Sequence, residues 1–203
     1  MKRALSSIFA QSLTHSPTAT SLSSVLGLEP STVERLLHSL SLLSLVHVSA
    51  NGTARLTPSG RGKLRVVLTG GVFDIIHSGH VYTLMKAKAL GDVLVVSVAR
   101  DATVLSLRGK PSINNENERA TLVGSVRYVD AAVLGSTTDP LGSLWDVKPD
   151  IVAIGYDQKY DEKDLIQKAS SRGLAITVKR LDSPIPDIKS SDIKKNHGIM
   201  SHF

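Results

Sequence analysis

The 203-residue chain contains no cysteine. That excludes disulfides, thiolate metal sites and cysteine nucleophiles. Long apolar runs are also missing: none approaches the roughly 20 residues needed to cross a bilayer, so no membrane partner is expected. A nucleophile elbow of the GxSxG kind is absent, which removes the serine-hydrolase arrangement. There is no internal repeat and no low-complexity tail. Acidic residues are scarce in the first 63 positions, where Glu29 and Glu34 stand against Lys2, Arg3, Arg35, Arg55, Arg61 and Lys63, a net of +4 out of the chain's +6. Such an excess permits a polyanionic partner there without demanding one. The start, MKRALSSIFAQSLTHSPT, is basic and then briefly apolar, as in a signal peptide. Gln11, Thr14 and His15 interrupt the apolar run and no small-residue cleavage site follows cleanly, so the segment is expected to be a helix of a soluble, cytoplasmic protein.

At 203 residues the chain can hold one medium domain, or a small one plus a medium one, and its 41% hydrophobic content is enough for a core. Composition shifts near residue 63, giving expected domains at 1–63 and 64–203. In the first, Lys2–Thr14 has helical periodicity through Leu5, Ile8, Phe9 and Leu13. A second helix is expected over Ala19–Val25, with Leu22, Val25 and Leu26 on one side and Gly27 as its stop. A third is expected over Ser31–Leu43, with Leu36, Leu37, Leu40 and Leu43 inside. VHVSANGTARLTP then alternates around Asn51-Gly52, a type I′ hairpin signal. Three helices and a hairpin form the winged helix-turn-helix pattern.

From Leu64 the pattern becomes strand, helix, strand. LRVVLTG and DVLVVSVARD read as strands buried on both faces, as in a parallel sheet. Between them GHVYTLMKAKALG reads as a helix with Val81, Leu84, Met85 and Ala89 inward. ENERATLVGSVR (helix), VDAAVLG and DIVAIG (strands), DEKDLIQKASSRG (helix) and LAITVKRL (strand) continue the alternation. The expected result is an α/β fold, a doubly wound, Rossmann-like parallel sheet, preceded by the small winged-helix domain.

TGGVFDIIHSGH (Thr69–His80) lies between the first of these strands and its helix. Metal binding, acid–base catalysis and phosphate binding all fit two glycines, an aspartate and two histidines. Histidines spaced as His77 and His80 do not match the HExxH metal spacing, and no further His or carboxylate cluster supports a metal cage. Context favours phosphate: ligands of open α/β sheets bind outside the carboxyl ends of strands. A helix N-terminus attracts anions, and imidazole N–H groups can face charge that develops in a transition state.

GGVFDIIHSGH resembles the GxFDxxHxGH signature of the HxGH nucleotidyltransferase superfamily. VARDATVLSLRGKP, NENERATLVGSVRYVDAAVLG, AIGYDQ and KSSDIKK resemble further segments of the cytidylyltransferase-like branch in order, together covering about residues 64–196. GYDQ and the ARDATV…GKP spacing resemble the archaeal-type FAD synthases most. The resemblance implies transfer of AMP from ATP to FMN with release of pyrophosphate, aided by Mg²⁺ or another divalent cation held by phosphates and water. The alternatives are a cytidylyltransferase using CTP and glycerol 3-phosphate, and, from another class, a DNA-binding regulator with a nucleotide-sensing domain.

By the same resemblance His77, His80 and Lys110 are the candidate catalytic residues, with Arg108 a weaker version of Lys110. Gly70, Val72, Phe73, Ser78 and Gly79 would surround the nucleotide, Gly71 would admit close backbone approach, and Asp74 would brace the loop. Arg119, a cation at a helix start, implies a nearby anion and is expected on phosphate, whereas Arg127 is expected to be structural. Gly155 and Asp157 follow a buried strand and are expected on the nucleotide, Asp157 at its ribose or base, and Arg180, which ends the last strand, is expected to contact the nucleotide too. Ser190 and Ser191 would cap a short helix that meets phosphate. DNA contact through Arg55, Arg61 and Lys63 is weighed against homodimerisation or packing on the catalytic domain, the single arginine of the third helix being a poor electrostatic footprint.

Overall fold

The computed structural model describes residues 1–156, 158 and 160–182. Its first 63 residues form α1 (Lys2–Ser12), α2 (Ala19–Leu26), α3 (Pro30–Leu42), a hairpin of β1 (Val46–Val48) and β2 (Ala54–Leu56), and the short α4 (Pro58–Arg61). Thr18 and Ser21 close a capping box at the start of α2, and Gly27 ends it with a left-handed φ of 68°, a conformation only glycine adopts cheaply. Leu5, Ile8, Leu22, Leu37 and Leu40 are buried, as their spacing requires. Val25 and Leu43 instead face outward, 52% and 62% exposed, because each lies at the last turn or just past the end of its helix.

The hairpin differs from the expected type I′ turn. Only Gly52 has positive φ, at 78°, and its N–H donates to the Ser49 carbonyl (2.9 Å). Asn51 uses its side chain instead, accepting from the Thr53 N–H and from Ser49 Oγ. The loop is therefore a Ser49–Gly52 β-turn that ends on a single left-handed glycine, the three-residue hairpin loop.

The remaining chain alternates β3 (Val66–Gly71), α5 (Ser78–Lys88), β4 (Val93–Val98), α6 (Asp101–Arg108), α7 (Glu116–Gly124), β5 (Ala131–Leu134), α8 (Gly142–Val147), β6 (Ile151–Ile154), α9 (Glu162–Ser171) and β7 (Thr177–Arg180). The short helices α6 and α8 escape the sequence pattern, yet α8 is the crossover that a parallel β5–β6 connection needs. The strands form one parallel sheet in the order β5-β4-β3-β6-β7. The chain winds one way from β3 through β4 to β5, then returns past β3 to β6 and β7. The switch point thus falls between β3 and β6, where ligands of such sheets bind. β3 and β4 are buried almost throughout, which accounts for their continuous apolar runs.

Three aspartates terminate the amino end of the sheet. Asp92 accepts from the Arg65 N–H (2.9 Å), Asp130 from the Leu94 N–H (2.6 Å) and Asp150 from the Val66 N–H (2.6 Å). Each stands just before one strand and satisfies a donor at the start of the neighbouring strand, a group that would otherwise be costly to bury. The first 63 residues pack at this same end: Leu5, Ile8 and Leu45 share one apolar cluster with Leu64, Val66 and Val93. Lys2 pairs with Asp92 (3.0 Å). Arg61 donates to Asp150 (3.0 Å) and to the carbonyls of Leu64 and Lys148, with its guanidinium over the Phe9 ring. Arg61, weighed above as a phosphate contact, is thus committed to the sheet domain. No helix among the described residues is long and apolar enough to cross a membrane.

Asp150→Ala removes an acceptor shared by Arg61 and the Val66 N–H. It should lower unfolding stability by about 1–3 kcal/mol, measured by chemical denaturation.

Candidate functional site

β3 leaves the sheet through Gly70 and Gly71, and Phe73 then takes a left-handed φ of 54°. For a residue with a Cβ that conformation costs roughly 1–3 kcal/mol, and such strain collects at functional sites. The bend turns the Phe73 ring back on Gly71, where an added Cβ would lie 2.9 Å from the ring. A side chain at position 71 would therefore displace Phe73. The buried Phe73 ring also meets His80, with centroids 5.2 Å apart.

His77 is the N-cap of α5 in extended conformation. From there the helical positions 77, 80, 84 and 87 fall on one face, and Leu84 and Ala87 are indeed its buried residues. Val81, Met85 and Ala89 point outward, contrary to the sequence expectation. The reason is that the inward stripe begins with the two histidines, rotated one position from the most hydrophobic choice. Their rings lie 3.9 Å apart between centroids, tilted by 36°. Burial pushes the His77 imidazole below its ordinary pKa, and its Nδ1 is enclosed without a hydrogen-bond partner. At neutral pH His77 is therefore an uncharged N–H donor rather than a cation. Ser78 and Gly79 occupy the first turn of α5, whose N–H groups have no acceptor within the helix.

The loop carrying these residues is held by a partner distant in sequence. Asp74 is buried, and its Oδ1 accepts from the N–H groups of Ile113 (2.9 Å) and Asn114 (3.2 Å). Asn114 Nδ2 returns a bond to the Asp74 carbonyl (2.7 Å). This clamp brings the α6–α7 loop, with Lys110 just past the left-handed Gly109 that ends α6, onto the HxGH loop. Asp74 braces the loop, as expected. Ser112 in the same loop has an enclosed, unpartnered hydroxyl; nothing in the sequence singled it out.

Arg119 departs from expectation. It is completely buried. Its guanidinium donates to the carbonyls of Val72 (2.6 Å), Ala99 (2.7 Å) and Asn114 (3.1 Å) and to Asp101 Oδ1 (2.8 Å). The anion that a cation at a helix start implied is thus the Asp101 carboxylate, and Arg119 lies beneath the cleft as a tie between the ends of β3 and β4 and the start of α7. Asp101 and Glu116 then exchange side-chain-to-backbone bonds (2.8 and 3.1 Å), and Arg100 joins Glu116 (2.7 Å) to the Gly135 carbonyl (2.8 Å). Burial alone would raise the Asp101 carboxyl, but the Arg119 hydrogen bond, the Glu116 N–H and the Arg119 charge outweigh it and hold it low. Glu116 is likewise held low, by the Asp101 N–H and then by Arg100.

Across the switch point, Gly155 follows β6. Arg180 fastens the segment after it: Nη1 donates to the carbonyls of Gly155 (3.2 Å) and Gln158 (2.9 Å), Nη2 to that of Tyr160 (2.8 Å), and Nε to Glu162 (3.0 Å). Asp157, Ser190 and Ser191 lie outside the described residues. Among the described residues, no group of three or more His, Asp or Glu is placed to hold a metal ion.

The profile of the cytidylyltransferase-like family matches residues 68–196. The chain is 51% identical over 118 residues to an FAD synthase of Aciduliprofundum boonei, covering 58% of this chain and 78% of that one. It is 43% identical over 128 residues to an FAD synthase of Thermoplasma volcanium, covering 63% and 89%. Among solved structures it is similar to a lipopolysaccharide core biosynthesis protein of Thermoplasma volcanium, with 42% identity, a TM-score of 0.57, and coverage of 59% of this chain and 98% of that chain.

Two outcomes are expected. Arg119→Lys keeps the charge but cannot span four acceptors, and should cost about 2–4 kcal/mol of stability, read by thermal and denaturant unfolding. Acid should destabilise the fold in two stages. His77 holds its proton less tightly folded than unfolded, so its contribution is full above about pH 6.5 and declines as pH falls toward its lowered pKa. The lowered Asp101 and Glu116 carboxyls contribute above about pH 4 and lose that contribution as pH falls through their folded-state values. His77→Gln should abolish the first stage alone in a stability–pH series.

Proposed function

The chain belongs to the cytidylyltransferase-like family, and we propose that it is an FAD synthase. A phosphate oxygen of FMN attacks the α-phosphorus of ATP, the bond to the β-phosphate oxygen breaks, and pyrophosphate leaves, so that AMP is transferred to FMN. Similarity to archaeal FAD synthases supports the choice of substrates. The observation that carries the chemistry is the His77–His80 pair, rings 3.9 Å apart, at the N-cap and first turn of the helix that follows β3, beside the switch point.

Phosphoryl transfer asks the protein for position and charge stabilisation rather than covalent participation. His77 and His80 donate hydrogen bonds to the triphosphate as charge grows on its oxygens, and the first-turn N–H groups of Ser78 and Gly79 add the helix dipole. Gly70, Val72 and Phe73 would form the floor under the nucleotide, with Gly155 on the ribose and base side; by the family resemblance Asp157 would contact ribose or base and Ser190 and Ser191 phosphate. Lys110, delivered by the Asp74 clamp, meets the phosphates as a cation. Arg119 and Arg180 shape these loops from behind. A divalent cation would be carried by the triphosphate and its water.

For residues 1–63 we favour a winged helix acting in cis, as a cover over the amino end of the sheet in the cytoplasmic enzyme. Two of its six cations, Lys2 and Arg61, already pair with sheet-domain carboxylates, which leaves less charge for DNA.

Incubation with FMN, ATP and Mg²⁺ should yield FAD and pyrophosphate by chromatography. Product arising only from CTP and glycerol 3-phosphate would replace this reading with the cytidylyltransferase one. His80→Ala should lower kcat by about 10²–10³ while leaving the melting temperature near that of the parent.

A further inference from the structure

The parallel ladder is uneven around β3. Its register with β4 runs from Val66–Val93 through Gly71–Val98, the full length of both strands. Its register with β6 ends at Leu68–Val152. Beyond that point β6 stays with β7, paired up to Ile154–Arg180, so the carboxyl halves of β3 and β6 part. The parting opens the sheet at its switch point. It also removes ladder partners from backbone groups on both sides, groups that are costly to leave unsatisfied.

One side chain spans the opening. Gln158 Nε2 donates to the Gly70 carbonyl (2.8 Å), and Gln158 Oε1 accepts from the Gly155 N–H (2.9 Å). Both ends of the amide are used, and only one orientation supplies a donor and an acceptor in those places. The Gln158 N–H also donates to the Gly155 carbonyl (3.2 Å), so the residue closes its own turn before reaching across. From the far side Arg180 holds the same turn through the carbonyls of Gly155, Gln158 and Tyr160. Gln158 is therefore a side-chain rung in the place of the missing ladder.

We infer that Gln158 is a positioning residue that sets the separation of β3 and β6 where the nucleotide enters. The inference rests on the FAD synthase reading for its substrate, though not for its geometry. Gly70 leads into the strained Phe73 bend and the histidines; Gly155 leads into the ribose and base side. The rung joins these two backbones, so it fixes one half of the nucleotide site relative to the other without touching the reacting atoms. The demand is chemical as well as steric. Glutamate retains the acceptor for Gly155 but, when ionised, has no proton for the Gly70 carbonyl. Leucine retains bulk and loses both bonds.

The test uses the full chain and the variants Gln158→Leu and Gln158→Glu. Gln158→Leu should raise the KM for ATP by roughly tenfold, the scale of one to two lost hydrogen bonds, with a smaller change in kcat. Gln158→Glu should be impaired at pH 7.5, and its kcat/KM relative to the parent should begin to recover as pH falls toward the ordinary glutamate pKa of about 4.3, where a growing fraction of protonated carboxyl can again donate to Gly70. Amide exchange at Gly155 should quicken in Gln158→Leu, and the affinity for a non-hydrolysable ATP analogue should fall in parallel with the rise in KM. A parent-like KM in both variants, or a Gln158→Glu defect that does not vary with pH, overturns the inference. If the parent itself makes no FAD, the proposed reaction fails, while analogue binding and Gly155 exchange still decide the role of Gln158.

Discussion

A single buried guanidinium organises the carboxyl end of this sheet. Arg119 holds the chain just after β3, just after β4 and just before α7 with one planar group, and Asp101 balances its charge. An unpaired cation in that position would be prohibitive; a fully bonded one fixes three loops together. The strained Phe73 conformation begins one residue after the carbonyl that Arg119 binds. The histidine pair follows from that bend. Through Asp101, Glu116 and Arg100 the same network reaches Gly135 after β5, so the floor of the site is one connected hydrogen-bonded unit.

The two ends of the sheet are built by opposite means. At the carboxyl end, glycines, a left-handed Phe73 and the parting of β3 from β6 leave backbone free to approach a ligand. At the amino end, Asp92, Asp130 and Asp150 cap strand donors, and the first 63 residues seal the remaining surface with apolar packing and the Arg61–Asp150 pair. The N-terminal segment thus lies at the end of the strands opposite the histidines. Any influence on the site would pass along the length of the sheet.

Much of this was legible in the residues. The alternation of strands and helices, the burial of β3 and β4 on both faces, and the placement of the HxGH stretch between strand and helix all follow from local pattern. Asp74, which the resemblance made a brace, does accept two backbone N–H groups from the α6–α7 loop. Other features were hidden. Helices α6 and α8 are too short for periodicity to register. Val81 and Met85 are as hydrophobic as Leu84, so the inward face of α5 could be found only once the histidines were known to lie on it. Arg119 carried a correct signal, that an anion must be near, but nothing local distinguished a ligand phosphate from Asp101.

Sequence alone therefore determined the parallel α/β class, the placement of the HxGH stretch between a strand and its helix, and the family whose motifs it carries, because these depend on periodicity and on residues within one short stretch. Tertiary structure decided which polar groups face the cleft and which stand behind it. Arg119, Arg180, Gln158 and Asn114 are joined to partners 18 to 88 positions away, and whether a guanidinium or amide meets a ligand or a carbonyl depends on which loops the fold brings around it. The opening in TGGVFDIIHSGH is written in its glycines; its width is set by a glutamine across the switch point, just after β6.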